Sequence, residues 1–152
     1  MKKNGLSDAN FDLWLLIGKV NHSIVLVRQR ELIQFHVPVR QLLVLRTIKE
    51  LGPRATLAEI AKQSDREVHV ISRQAVNMEK DGLIRRIKDA PKSNLLRLEL
   101  TEKGLEILKI SRGSKSIDDI LSVLSGEERE QMEKILNKIL ARLKEHSPEE
   151  TE

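Results

Sequence analysis

The sequence predicts a mainly α-helical fold with one small two-stranded antiparallel sheet. Apolar residues recur at steps of three and four towards both ends of the chain, which is the spacing of one helix face. Two segments near the middle begin with capping signals and predict a pair of short helices. Between residues 83 and 100 the apolar period changes to two, which indicates strands. With 152 residues, the chain is long enough for one domain plus an oligomerisation element.

The first predicted helix runs from about Asp8 to Gln34. Its apolar stripe is too wide to remain in water and consists of Leu13, Ile17, Val20, Ile24 and Val27. A second helix begins near Pro38 and ends at Gly52-Pro53, because glycine accepts a left-handed conformation and proline cannot continue a helix. Both helices need a partner surface for their apolar side chains.

A helix-turn-helix is predicted next. Thr56-Leu57-Ala58-Glu59 and Ser64-Asp65-Arg66-Glu67 both have the form of a capping box, in which a hydroxyl and a carboxylate satisfy exposed N–H groups. The second box predicts a helix over Ser64 to Asp81 that buries Ile71, Ala75 and Met78. Two short helices joined by a tight polar turn are typical of this motif.

Two strand-like segments follow, at 83–88 and 96–100, with turn-forming residues at 89–94 between them. Thr101 then caps another helix, which we expect to break near residues 111–116. Ser125-Gly126-Glu127-Glu128 is a further capping box before the last apolar stripe. A basic ribbon placed directly after a helix-turn-helix predicts a winged helix-turn-helix.

Composition excludes several classes of function. The chain contains 27 basic and 23 acidic residues, with the positive surplus in its first two thirds. It has no cysteine, which excludes disulfides, thiolate metal sites and thiol-based sensing. Aromatic residues are only 2% of the sequence, which argues against a stacking platform for single-stranded nucleic acid. Neither a phosphate-binding glycine loop nor a catalytic serine motif occurs, so we predict no enzyme activity, no metal and no cofactor.

The ordered set of motifs resembles the MarR family of bacterial transcriptional regulators. The most specific of them is the Thr101-Glu102-Lys103-Gly104 run after the second strand. The resemblance extends over nearly the whole chain, and its other motifs lie at Gln41–Arg46, Thr56–Ala61 and Met78–Arg86. It implies a homodimer whose base contains the first helix and the last two helices of each subunit.

The resemblance also implies a domain organisation and a function. Residues 1–36 would be a dimerisation helix, 37–100 the winged helix-turn-helix DNA-binding domain, 101–146 the helices completing the dimer base, and 147–152 a polar tail. The implied protein is a sequence-specific regulator of transcription, most commonly a repressor, that binds a pseudo-palindromic operator in double-stranded DNA. The alternative is a winged helix that binds protein, or an anti-regulator, without specific DNA binding.

The candidate DNA-binding residues lie on the outer face of the second helix of the motif and on the wing. They are His69, Val70, Ser72, Arg73, Val76 and Asn77, followed by Arg85, Arg86, Lys88 and Lys92. Arg73 is the first choice, because arginine can bind guanine or phosphate, and Asn77 can bind adenine. For Arg86, a structural salt bridge is as strong an interpretation as a DNA contact.

The chain departs from the family at two positions. Family members usually carry Asp-x-Arg at the wing tip, where the aspartate orients an arginine for the minor groove. Lys92-Ser93-Asn94 occupies the matching positions, so we expect a weaker and less selective wing contact. Gln74 stands where the family is usually apolar, and the sequence alone offers no reason for it.

The sequence leaves the identity of any small-molecule effector open. Family members often bind small lipophilic acids between the dimer base and the winged helix. Phe11, Trp14, Phe35 and His36 are the candidate lining here, although plain core residues are the favoured interpretation. No apolar run approaches the roughly 20 residues of a membrane span. We therefore expect a cytoplasmic protein with no membrane partner.

Overall fold

The computed structural model describes residues 4–89, 91 and 94–146. Within these ranges it has the predicted fold class, mainly α with one two-stranded antiparallel sheet. The elements are α1 (Asn4–Leu32), α2 (Val39–Leu51), α3 (Leu57–Ser64), α4 (Val68–Lys80), β1 (Ile84–Lys88), β2 (Leu96–Leu100), α5 (Glu102–Ser111), α6 (Lys115–Leu121) and α7 (Gly126–Lys144). Short 3₁₀ turns at Ile33–Phe35 and Gly52–Arg54 flank α2.

The described residues form two compact units, which divide between Ser114 and Lys115. The first contains a single hydrophobic core between α2, α3, α4, the sheet and α5. The core side chains are Val37, Val44, Leu45, Ile48, Leu51, Ala55, Ile60, Ala61, Ile71, Ala75, Met78, Leu83, Ile84, Leu98 and Leu108. None of the described helices is both long and apolar enough to cross a membrane.

The N-terminal part of α1 leaves its apolar stripe in solvent. Leu32 at the end of the helix is fully buried, but Phe11 and Trp14 are 56% and 63% exposed. Their rings contact each other, with centroids 5.4 Å apart. The interpretation of these two aromatic residues as ordinary core is therefore wrong within a single chain.

The described part of the second unit also has an apolar face in solvent. Every described residue of α7 is exposed, including a stripe at helical spacing formed by Ile135, Leu136, Ile139, Leu140 and Leu143. The helix begins with the predicted capping box, in which Ser125 Oγ accepts from the Glu128 N–H and the Glu128 carboxylate accepts from the Ser125 N–H. The polar tail predicted at residues 147–152 lies outside the described residues.

A polar connection joins α1 to the end of α5. The Arg28 guanidinium donates to the Glu31 carboxylate and to the Ser111 carbonyl oxygen, and only 11% of the Arg28 side chain is exposed. Ser114 Oγ donates to Glu31 Oε2 at 2.9 Å. The helix break predicted near residues 111–116 is confirmed, since α5 ends at Ser111 and α6 begins at Lys115.

Candidate nucleic-acid interface

The turn between α3 and α4 sets the start of the candidate recognition helix. Asp65 has φ = 51° and ψ = 51°, a left-handed conformation that short polar side chains tolerate better than most. The N–H of Arg66 then donates to the Ala61 carbonyl at 2.9 Å and closes the end of α3. The capping box predicted at residues 64–67 is consequently wrong, because Ser64 ends α3 and α4 begins at Val68.

Helix α4 is held in place by one buried stripe. Ile71, Ala75 and Met78 are at most 1% exposed, as the helical spacing predicts. This stripe packs in the hydrophobic core and turns the remaining side chains of the helix outward. The orientation of the outer face therefore follows from the burial of three apolar residues.

The outer face of α4 carries the six predicted residues. His69, Arg73, Val76 and Asn77 are exposed, whereas Val70 and Ser72 are half-buried. Within the described part of the chain, the Arg73 guanidinium has no ion-pair partner and the Asn77 amide forms no hydrogen bond. Both side chains are thus available to a ligand that approaches this face.

The wing is a regular antiparallel pair in which Ile84 lies opposite Leu100 and Lys88 opposite Leu96. A further backbone contact fixes it to the helix-turn-helix: the Leu98 N–H donates to the Ala55 carbonyl at 2.8 Å, and Thr56 and Arg97 form an isolated bridge. Since Thr56 Oγ1 also accepts from the Glu59 N–H, one residue both caps α3 and joins the sheet. The sequence predicts the cap but not this bridge, because two isolated residues show no strand period.

Arg86 is tied to α4. Its N–H donates to Glu79 Oε1 at 3.1 Å, and its Nε donates to Glu79 Oε2 at 2.7 Å. Both bonds hold the pKa of Glu79 below its ordinary value, and the bond from the Arg86 backbone N–H contributes more than the bond from its guanidinium. Of the two interpretations offered by the sequence, the contacts of Arg86 match the structural salt bridge.

Two other predicted DNA-binding residues of the wing lie in solvent. Arg85 and Lys88 are exposed, and Arg85 has only a distant ion pair, at 3.9 Å from Glu99. Lys92 and Ser93 at the wing tip lie outside the described residues. The described wing thus presents two available cations beside α4.

The wing also contains an oriented arginine that the sequence analysis missed. Arg97 Nε donates to both carboxylate oxygens of Asp89, at 2.7 and 3.0 Å, and the Arg97 side chain is only 22% exposed. The hydrogen bonds from Arg97 lower the pKa of Asp89, and the same pairing raises the pKa of Arg97. An Asp–Arg pair is therefore present where the two strands meet the wing loop, rather than at residues 92–94, the tip positions that match the family's pattern.

The Thr-Glu-Lys-Gly run fastens the wing to α5. Thr101 Oγ1 accepts from the Gly104 N–H and donates to the Gly82 carbonyl at 2.6 Å. Lys103 Nζ donates to the Asp81 carbonyl at 2.8 Å. The run thus binds the turn between α4 and β1. These hydrogen bonds fix the position of the wing relative to the recognition helix.

Comparisons with known proteins agree with the winged helix-turn-helix described above. Residues 37–90 match the model of the MarR family. No curated protein sequence matches the chain. The chain is similar to the organohalide-sensing transcriptional regulator RdhR-CbdbA1625 in its 2,4-dichlorophenol-bound form, with 27% identity and a TM-score of 0.81 over 88% of this chain and 80% of that one.

Two structures solved with DNA are also similar. The Staphylococcus aureus MepR–DNA complex shares 25% identity and a TM-score of 0.77, over 85% of this chain and 96% of that chain. A mutant of Escherichia coli MarR in complex with operator DNA shares 20% identity and a TM-score of 0.78, over 90% and 99% of the respective chains. At 20% identity, the similarity to Escherichia coli MarR shows a shared fold and no more.

Proposed function

We propose that the chain, whose residues 37–90 match the model of the MarR family, is a sequence-specific DNA-binding regulator of transcription. The observation that carries the proposal is the unpaired outer face of α4 beside a basic wing. In a helix-turn-helix, the N-terminal part of the second helix enters the major groove. A similar protein, S. aureus MepR, has been solved in complex with DNA, which supports DNA binding here.

The side chains of α4 suit different parts of a DNA duplex. Arg73 can form two hydrogen bonds with guanine, and Asn77 can do the same with adenine. Val70 and Val76 supply apolar contacts for thymine methyl groups, and the Ser72 hydroxyl suits a phosphate. His69, at the start of the helix, adds a donor or an acceptor according to its tautomer.

The wing supplies charge with less sequence information. Arg85 and Lys88 are exposed cations that can approach the minor groove or the flanking phosphates. We propose Lys92 for the same role, from its sequence position alone. Arg86 binds Glu79 and so positions β1 against α4. In this proposal Arg86 aligns the wing and does not itself contact a DNA base.

We propose that two copies of the chain form the functional dimer. Contiguous exposed apolar surfaces mark interaction sites in water. On α1, Leu13, Trp14, Leu16, Ile17 and Val20 are 42 to 63% exposed. On α7, the stripe from Ile135 to Leu143 is 37 to 59% exposed. The dimer base would thus use residues 1–36 and 101–146, with residues 37–100 of each subunit free to bind DNA.

Dimer symmetry determines the form of the binding site. Two recognition helices in one homodimer would contact half-sites about one helical turn, roughly 34 Å, apart. The operator would then be a pseudo-palindrome, and occupancy of it would block transcription, which makes repression the proposed mode. Such a regulator acts where the chromosome is, in the cytoplasm.

Fluorescence anisotropy with the upstream intergenic duplex and an unrelated duplex tests the proposal. We expect a preference of about 10³-fold for the upstream duplex and a steep loss of affinity with salt. Arg73→Ala should lower specific affinity by about 10- to 100-fold without changing the dimer mass. Arg112→Ala, an exposed arginine beyond α5, is the matched control and should bind like the wild type.

Equal, weak binding to both duplexes would contradict the proposal. That result would favour the alternative winged helix that binds protein, and an Arg73→Ala variant with unchanged DNA affinity would point the same way. A pull-down from native lysate, with the α4 surface intact or substituted, would then identify the partner and show whether α4 contacts it.

A further inference from the structure

The C-terminal end of α1 contacts the start of α2. Gln29 Oε1 accepts from the Val39 N–H at 3.0 Å, and Val39 is the first residue of α2. The first N–H groups of a helix have no partner within that helix, and Pro38 at the cap position forms no side-chain hydrogen bond. Gln29 therefore caps α2 from another helix, ten residues earlier in the chain.

The same end of α1 also contacts the end of α5. The Arg28 guanidinium donates to the Glu31 carboxylate and to the carbonyl oxygen of Ser111, the last residue of α5. The Glu31 carboxylate in turn accepts from Ser114 Oγ at 2.9 Å. A cation at the last carbonyl groups of a helix is stabilising, because these groups carry the negative end of the helix dipole. The Arg28 and Glu31 side chains are only 11% and 23% exposed, so these charge-assisted bonds are stronger than those of a surface pair.

The covalent connection between α1 and α2 is short and irregular. Residues 33–38 consist of the 3₁₀ turn at Ile33–Phe35, His36 in a left-handed conformation with φ = 55°, and two further residues. Residues at the ends of helices can absorb large changes in φ and ψ, so a connection of this kind is a place where two helices can swing relative to each other. A swing here would have to break the bond from the α2 N–H to Gln29 or the bonds of Arg28 and Glu31 at the end of α5. These side chains thus bridge the joint from α1 to both neighbouring helices.

We propose that Arg28, Gln29 and Glu31 form a clamp that holds α1 and the elements α2 to α5 as one rigid body. They are positioning residues, since their side chains contact protein and none belongs to the proposed DNA-binding surface. In the dimer of the proposed function, on which the second part of the inference rests, α1 lies in the interface. The clamp therefore sets the distance and the angle between the two α4 helices, and with them the spacing of the half-sites that one dimer can bind.

Residual dipolar couplings of the full chain without DNA test the rigid body. They report the orientation of each N–H bond, so a single alignment tensor fits α1 together with α2 to α5 only if these helices do not move relative to each other. We expect one tensor for the wild type and two different tensors for the double variant Arg28→Met with Glu31→Met. The double variant leaves no uncompensated buried charge, which keeps its stability close to that of the wild type. Gln29→Met removes the contact with α2 separately, and Arg30→Gln, at an exposed position beside the clamp, is the control.

A distance measurement tests the effect of the clamp on α4. The chain has no cysteine, so Lys80→Cys provides one site for a spin label, at an exposed position at the end of α4. Pulsed electron paramagnetic resonance then measures the distance between the two labels of a dimer. We expect a narrow distribution in the otherwise wild-type chain and a broader or shifted one in the clamp variants, at unchanged dimer mass. Without the label, the clamp variants should bind the upstream duplex about three- to thirtyfold more weakly, with an unchanged salt dependence because the phosphate contacts are the same.

Several results would overturn the proposal. Two tensors in the wild type would show that α1 already moves, and one tensor in a folded double variant would show that the contacts do not hold the helices together. Unchanged label distances with a lower salt dependence would assign the substituted residues to DNA contact. A wild-type chain without dipolar coupling between labels would refute the dimer, and with it the effect on spacing. The tensor result, by contrast, depends neither on the dimer nor on recognition of an operator, so failure of the clamp is distinguishable from failure of the proposed function.

Discussion

Gly104 lies so close to Leu83 that a Cβ atom on the glycine would be 2.2 Å from the Leu83 carbonyl oxygen. That carbonyl already accepts from the Thr101 N–H at 3.1 Å, so it is fixed in the turn between α4 and β1. The last residue of the Thr-Glu-Lys-Gly run is therefore a glycine for steric reasons. Any side chain here would push α5 away from the base of the wing.

Gly104→Ala should lower the free energy of unfolding by about 1–3 kcal/mol, because the contact is with backbone that cannot rotate away. Urea unfolding of the purified variant measures this. Gly126→Ala is the matched control, since no atom lies within 4 Å of the added methyl group, and it should change stability by less than about 0.5 kcal/mol. Equal stability of the two variants would show that α5 shifts freely.

Ile139→Glu should convert a dimer to monomers, because it places a charge in the exposed apolar stripe of α7. Sedimentation velocity measures the mass directly. Asn137→Glu adds the same charge on the same helix without removing an apolar side chain and should remain dimeric. A wild-type chain that sediments as a monomer at micromolar concentration would refute the proposed assembly.

Glu79→Gln should destabilise the protein at neutral pH and have a smaller effect in acid. The bonds from Arg86 hold the pKa of Glu79 below its ordinary value in the folded state. The stabilisation by this carboxylate is therefore present above its unfolded-state pKa and is lost as the pH falls through the lower folded-state pKa. Urea unfolding of wild type and variant at about pH 7 and about pH 3 measures the difference.

Glu106→Gln provides the control for that comparison, because Glu106 has no ion pair among the described residues and its substitution should change stability by less than about 0.5 kcal/mol. If the stability difference between Glu79→Gln and wild type were the same at both pH values, the contact with Arg86 would not be ionic in solution.

Lys88→Ala should weaken DNA binding equally for the upstream and the unrelated duplex. A phosphate contact carries no sequence information, so its loss should lower the slope of log affinity against log salt by about one and leave the preference intact. Anisotropy titrations at four salt concentrations give both quantities. A change in the preference between duplexes would instead assign Lys88 to a base contact.

Periodicity in the sequence was sufficient for the elements and for the buried side of α4. The steps between Ile71, Ala75 and Met78 determine which residues face out, so the outer face followed directly. The capping-box rule failed at the turn between α3 and α4, where residues 64–67 match the sequence pattern of a capping box but do not form one. Asp65 takes the left-handed conformation instead, and that choice depends on how α3 and α4 pack rather than on four residues.

Contacts between side chains on different elements could not be predicted from the sequence. Glu79 and Arg86 are seven residues apart, and Asp89 and Arg97 eight, on elements whose register depends on the whole wing. The chain has many acidic and basic residues, so composition does not select these pairs.

The contacts of Arg28 and Glu31 with Ser111 and Ser114 mean that the winged helix is not an excisable fragment. A chain begun at residue 37 would lose the cation that binds the Ser111 carbonyl and the carboxylate that accepts from Ser114. It would also lose Leu32, which is fully buried. We therefore expect a shortened protein to be more stable when it retains the end of α1 together with residue 114.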